Sequence, residues 1–145
     1  MTQTLGADLL SVVARINRLA TQRARLPLPY AQARLLSTIE DQGATRISDL
    51  AALDHCSQPT MTTQVRRLED AGLVSRTADP GDARAVLIRI TPKGVETLRQ
   101  VRLDRGAAVD PYLERLDAAD RQMLSEAVRV LRGLLADAAS PITAK

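Results

Sequence analysis

Two stretches of the chain carry residues whose types and spacing could do chemistry. Residues 57–68 read SQPTMTTQVRRL, and residues 79–84 read DPGDAR. In the first, Met61, Val65 and Leu68 recur at i, i+4 and i+7, the spacing of one helix face. The opposite face then holds Gln58, Thr60, Thr62, Thr63, Gln64, Arg66 and Arg67, with Ser57 as the helix N-cap at its start. An ordinary solvated face would hold more Glu and Lys. Gln pairs bidentately with adenine, a Thr methyl meets the thymine methyl, and Arg reaches guanine or phosphate. Such a face suits the base edges of a DNA major groove.

In the second stretch, Asp79, Pro80 and Gly81 are turn formers. The residues after it alternate, with Val86, Ile88 and Ile90 on one side, which predicts a strand. An Arg84 at the tip of a hairpin would enter a minor groove, where negative potential is concentrated. DNA repels a bare carboxylate, so Asp82 is read as a clamp that holds the Arg84 guanidinium by a bidentate pair.

The elements that must position these groups follow from periodicity. Leu5, Leu9, Val12, Val13, Ile16 and Leu19 predict a helix over about residues 4–24. Pro27 and Pro29 separate it from a second helix carrying Tyr30, Ala33, Leu36 and Ile39, stopped by Gly43. A short helix with Ser48 as N-cap turns Leu50, Ala51 and Leu53 inward. The helix from Ser57 has Pro59 in its first turn, where a missing N–H costs little, and stops at Gly72. Strands are predicted at residues 73–78 and 85–90. Thr91 and Pro92 open a helix with Val95, Leu98 and Val101 that runs to about residue 109, where Pro111 interrupts it. Asp117 caps a last helix bearing Met123, Leu124, Ala127, Val128, Leu131, Leu134 and Leu135 on one stripe. The tail from Ser140 is expected to fray. The fold class is therefore mainly α with a small β-hairpin: a short helix, a turn, a second helix and a hairpin are the plan of a winged helix-turn-helix.

Composition agrees. The 145 residues, 45% hydrophobic, suffice for one core, built without Phe or Trp. Net charge is +3, and Lys occurs only at Lys93 and Lys145, so the cations are nearly all Arg, the residue suited to phosphate and base edges. No apolar run approaches the ~20 residues of a membrane span, and the start, MTQTLGADLL, does not read as a secretory signal. One Cys makes no internal disulfide, and the expected compartment is the cytoplasm. Cys56 reads as a small buried spacer beside the Ser57 helix. His55, the single His, reads as a turn or phosphate-contact residue, with no metal and no cofactor expected. Neither a nucleophile–base arrangement nor a Gly-rich phosphate loop appears, so no enzyme is expected.

Residues 47–94, ISDLAALDHCSQPTMTTQVRRLEDAGLVSRTADPGDARAVLIRITPKG, resemble the core of the MarR family of bacterial transcription regulators. The segments RLEDAGLV, DPGDAR with its D-x-R, and ITPKG carry the resemblance. It implies a transcriptional regulator, more a repressor than an activator, that binds a pseudo-palindromic operator as a homodimer. The terminal helices would interlock as dimerisation helices. Residues 1–28 and 92–145 would form that helical region, and residues 29–91 the winged lobe on double-stranded DNA. Carried over by position, Gln58, Thr60, Thr62, Thr63, Arg66 and Arg67 would face the major groove, and Asp82 and Arg84 the wing tip. It also implies release by a small anionic or phenolic effector, for which Arg15, Arg18 and Arg34 are ligand-binding candidates. Asp54 stands where many relatives have Gly, and Asp tolerates the left-handed backbone such a turn needs. A thiol-based redox regulator acting through Cys56, and a winged-helix module that binds protein, are the competing readings. The stripes of the first and last helices need partners of their own, which a two-fold dimer supplies.

Overall fold

The structure is a computed structural model that describes residues 2–139; the tail expected to fray lies outside the described residues. The order is α1 (Leu5–Arg23), α2 (Tyr30–Gln42), β1 (Thr45–Arg46), α3 (Ile47–Leu53), α4 (Gln58–Asp70), β2 (Val74–Asp79), β3 (Asp82–Ile90), α5 (Pro92–Leu113) and α6 (Ala118–Ala139). The described residues fall into two compact units, one ending at Ala108 and the other beginning at Val109.

In the first unit, the core gathers the inward faces of α2, α3, α4 and the sheet. Leu36, Ile39, Leu50, Met61, Val65, Leu68 and Ile88 are fully covered, and burying each such side chain contributes about 1.5–3 kcal/mol. The sheet is antiparallel, in the order β1-β3-β2. The two-residue β1 has no hydrophobic signature of its own. It exists because Thr45 pairs with Ile88 and Arg46 with Leu87. That pairing holds Arg46 extended and makes it the residue before α3, so Ser48 lies inside the helix and is not its cap. Leu53 also departs from expectation: it is 52% exposed, while Leu50 and Ala51 are buried.

The turn between α3 and α4 corrects a further detail. Asp54 has φ −94°; the left-handed residue is His55, at φ 51°. His is among the few side chains that visit this region with any frequency. Asp54 instead accepts from Arg34 Nη2 at 3.2 Å.

The end of α4 is joined to the start of α5 by three residues of ITPKG. Lys93 Nζ donates to the Ala71 carbonyl (2.8 Å). The Thr91 hydroxyl donates to the Gly72 carbonyl (2.6 Å) and accepts from the Gly94 N–H (3.1 Å). Thr91 N–H donates to the Leu73 carbonyl (3.0 Å). Gly94 is buried against that same carbonyl: an added Cβ would sit 2.7 Å from Ile90 Cγ1 and closer still to the Leu73 oxygen. Gly72 itself is at φ 76°, the left-handed residue that closes many helices.

α1 begins at Thr4, whose hydroxyl accepts from Ala7 N–H at 3.2 Å. Along α1, Leu5, Leu10, Val12, Val13 and Ile16 are exposed. α5 does not stop before Pro111 but continues to Leu113. The proline lies in the last turn, where the helix forgoes one backbone hydrogen bond and ends two residues later. In the second unit, Asp117 Oδ1 accepts from Asp120 N–H at 2.8 Å, capping α6 as expected. Along α6, Met123, Leu124, Val128, Leu134 and Leu135 are exposed, and none of its residues is buried.

Candidate nucleic-acid interface

α4 presents its polar side outward. Met61, Val65 and Leu68 are fully covered. Ser57, Gln58, Thr60, Thr63, Arg66 and Arg67 are exposed, and Thr62 and Gln64 are half-buried. Ser57 is the N-cap: its oxygen accepts from Thr60 N–H at 3.3 Å, and its hydroxyl donates to Thr60 Oγ1 at 2.9 Å. Thr63 donates its hydroxyl proton to the Pro59 carbonyl (3.1 Å). These bonds fix the threonine rotamers, leaving Thr63 its methyl and a lone pair as its contribution to the surface. Gln58, Arg66 and Arg67 make no side-chain hydrogen bond to other described residues.

The hairpin differs in mechanism from the expected clamp. Asp82 Oδ1 accepts from the Arg84 backbone N–H at 3.0 Å, and among the described residues the Arg84 guanidinium makes no ion pair. Two residues apart at a strand start, a short carboxylate reaches the amide of i+2 as an Asx turn. Asp82 therefore shapes the backbone that carries Arg84 and does not grip its head.

The acid that is neutralised is Asp79. Its Oδ1 accepts from Gly81 N–H (2.9 Å), and its Oδ2 accepts from Arg46 Nε (3.1 Å) and Nη2 (2.6 Å). With the Gly81 amide first and Arg46 second, these bonds hold the Asp79 carboxyl below the ordinary value of 3.8. The same hydrogen bond and charge hold Arg46 even more firmly protonated. Arg46 thus ties β1, at the head of α3, to the hairpin turn. β2 is tied to α4 in the same way, by Arg76 Nε on Glu69 Oε2 at 2.7 Å. In the sheet, Arg76 pairs with Ile88, so it shares the face of Ile88, as does Val86 by strand parity. Beyond Val86 the register shifts at Ala78/Asp79, and Arg84 is exposed there.

A separate cavity of about 190 Å³ lies between α1, α2 and the first half of α5. Arg34, named from sequence, lines it together with Tyr30, Arg102 and Arg105. Arg34 is engaged with Asp54 and Arg102 with Glu40, at 2.8 Å. Arg18 lines an adjoining hollow with Asn17 and Tyr30; Arg15 lines neither. Sequence reasoning missed Arg105. Its Nη1 donates to Thr21 Oγ1 (2.9 Å) and its Nη2 to Asn17 Oδ1 (2.8 Å), and its guanidinium stacks 4.7 Å from the Tyr30 ring centre. Its partners are neutral and lie 84 and 88 residues away, a distance no local pattern spans. Cys56 is half-buried and packs against the core, which agrees with the spacer role.

The profile of the MarR family matches residues 28–86. The HTH-type transcriptional regulator FarR of Neisseria gonorrhoeae is 32% identical over 108 residues, covering 74% of this chain and 69% of its own. An uncharacterized HTH-type transcriptional regulator of Mycobacterium bovis is 29% identical over 132 residues, 90% of this chain and 92% of its own. Among solved structures, the transcriptional regulator Tm0710 from Thermotoga maritima superposes with a TM-score of 0.70 at 25% identity, covering 92% of this chain and 98% of its own. A MarR mutant from E. coli complexed with operator DNA superposes at 0.59 and 23% identity, over 88% and 92%. The fold thus recurs in proteins named as regulators of transcription. The chain belongs to the MarR family of HTH-type transcriptional regulators.

Proposed function

We propose that this chain represses transcription by binding a pseudo-palindromic DNA operator as a homodimer, with residues 29–91 as the DNA-binding lobe and residues 1–28 and 92–145 as the dimerisation region. The observation that carries the reading is the outward polar side of α4, from Gln58 to Arg67, beside a hairpin whose tip offers Arg84, a guanidinium with no ion pair among the described residues. Gln58, Thr60, Thr62, Thr63, Gln64, Arg66 and Arg67 read base edges and phosphates in the major groove, Ser57 fixes the start of that helix, and Arg84 reaches the minor groove from a backbone shaped by Asp82. The exposed stripes of α1 and α6 support the dimer, because an isolated chain would leave them in water. Two-fold symmetry then sets two α4 helices one duplex turn apart, about 34–36 Å. The function places the protein in the cytoplasm, with the chromosome.

In vitro selection from a random DNA pool tests this. The expected product is a two-fold symmetric site with half-sites one helical turn apart, bound with an affinity that falls steeply with salt. Selection of no sequence, together with a flat salt response, would favour the protein-binding module instead.

Control by a small anionic or phenolic effector belongs to the same proposal. Arg105, a cation with neutral partners on the wall of a cavity, supports it, together with Arg34 and Arg18. Calorimetry with salicylate-like acids is the test: a saturable heat that Arg105→Ala removes, with a matching loss of operator affinity in the unmodified protein, is expected. Peroxide treatment that leaves operator affinity unchanged would exclude the thiol reading of Cys56.

A further inference from the structure

We infer that the cleft between α3, the start of α4 and the hairpin is a seat for one phosphate of the DNA backbone, held by Arg46 and Arg76. The inference rests on the DNA-binding reading and adds a contact which that reading does not contain. Adjacent major and minor grooves are separated by a single sugar–phosphate strand. A chain that puts α4 in one groove and Arg84 in the next must let that strand pass between helix and hairpin.

A cleft of about 250 Å³ lies there, lined by Arg46, Ser48, Gln58 and Arg76, with Val86 on its strand side. Each guanidinium is anchored on one edge and open on another. Asp79 takes Nε and Nη2 of Arg46, leaving Nη1. Glu69 takes Nε of Arg76, leaving both terminal nitrogens. Among the described residues, neither the Ser48 hydroxyl nor the Gln58 amide donates to another group. Four side chains with unused donor capacity therefore line one small space. Asp79, only 15% exposed, and Glu69, 32% exposed, stand behind the cations as braces. A guanidinium held in one pose loses little freedom on gripping a phosphate, which is where a planar fork gains over an ammonium. The contact is to backbone, so it positions the protein without reading sequence.

The experiment is the salt dependence of DNA affinity, measured on the selected operator and on scrambled duplex for Arg46→Gln, Arg76→Gln, Arg76→Lys and Glu69→Gln, each checked for native circular dichroism. Each Arg→Gln change is expected to lower the slope of log K against log salt by about 0.9 and to weaken both DNAs equally, with the selected sequence unchanged. Arg76→Lys keeps the slope. Glu69→Gln removes only the brace's charge and is expected to bind DNA as tightly as the parent or more so. An unchanged slope for Arg76→Gln, or a Glu69→Gln loss as large as that of Arg76→Gln, would make the pair a structural strut and overturn the seat. If the parent binds DNA and Arg84→Ala lowers its slope while Arg76→Gln does not, the seat alone fails. If the parent shows no salt-dependent binding, the DNA reading falls and the seat with it.

Discussion

Gly94→Ala is expected to destabilise the protein although it places the best helix former inside a helix. In an open helix interior the change gains about 1 kcal/mol. At position 94 the new Cβ would lie 2.7 Å from Ile90 Cγ1 and closer to the Leu73 carbonyl oxygen. The oxygen belongs to the backbone and cannot rotate away, so the first turn of α5 must retreat by roughly 1 Å, the shortfall from ordinary packing distance. Such a retreat stretches the Thr91 N–H to Leu73 bond, now 3.0 Å, and the Thr91 hydroxyl to Gly72 bond, now 2.6 Å. Two hydrogen bonds at about 1 kcal/mol each and overpacking at about 1–3 kcal/mol, less the helix gain, leave a net loss of about 2–4 kcal/mol. With a urea slope of about 2 kcal/mol/M, the midpoint should fall by about 1–2 M. Protomer concentration must be held fixed, since association adds to apparent stability. Gly133→Ala is the control: nothing lies within 4 Å of its added Cβ, and the protein should gain a few tenths to about 1 kcal/mol. A Gly94→Ala protein within about 0.5 kcal/mol of the parent would refute the account of ITPKG as a close-packed joint.

Three further outcomes are expected. Arg84→Ala weakens specific and scrambled DNA alike, whereas Gln58→Ala or Thr62→Ala shifts the preferred sequence by about 1–3 kcal/mol at individual positions; equal losses for all three in a gel shift would remove the division of labour. The Asp79 carboxyl lies below 3.8 in the folded protein, so its stabilising bonds to Gly81 and Arg46 are fully present above the unfolded carboxylate value and are lost as pH falls through the folded one. Carboxyl NMR should therefore show Asp79 titrating below 3.8, and Arg46→Gln should move it up; a midpoint at or above 3.8 would contradict the geometry. Val128→Asp in α6 puts a charge on the exposed stripe and should convert dimers to monomers by light scattering; an unchanged mass would exclude α6 from the interface.

Much of the fold was legible because its signals are local. Met61, Val65 and Leu68 announce the inner side of α4 by spacing alone. Ser57 announces its start, and Gly72, at φ 76°, its end. The outward residues of α4 follow automatically, since fixing one side of a helix fixes the other. What escaped was set by distance along the chain. β1 is two residues paired to a strand forty positions later, so nothing in Thr45 or Arg46 reveals it. Arg46 and Asp79 meet across 33 residues, and sequence reasoning assigned the neutralising pair to the neighbours Asp82 and Arg84. At that separation a short carboxylate satisfies a backbone amide before it can reach a side-chain head. Proline breaks helix interiors, so Pro111 reads from sequence as a stop, but in a final turn little remains to break.

The joint between the end of α4 and the start of α5 has a mechanical consequence. Ala71, Gly72 and Leu73 each surrender a carbonyl to it, and Gly94 leaves no gap for sliding. A hinge needs slack, and this splice has none. A torque applied to the front of α5 is delivered to the tail of α4 undiminished, as through a rigid crank.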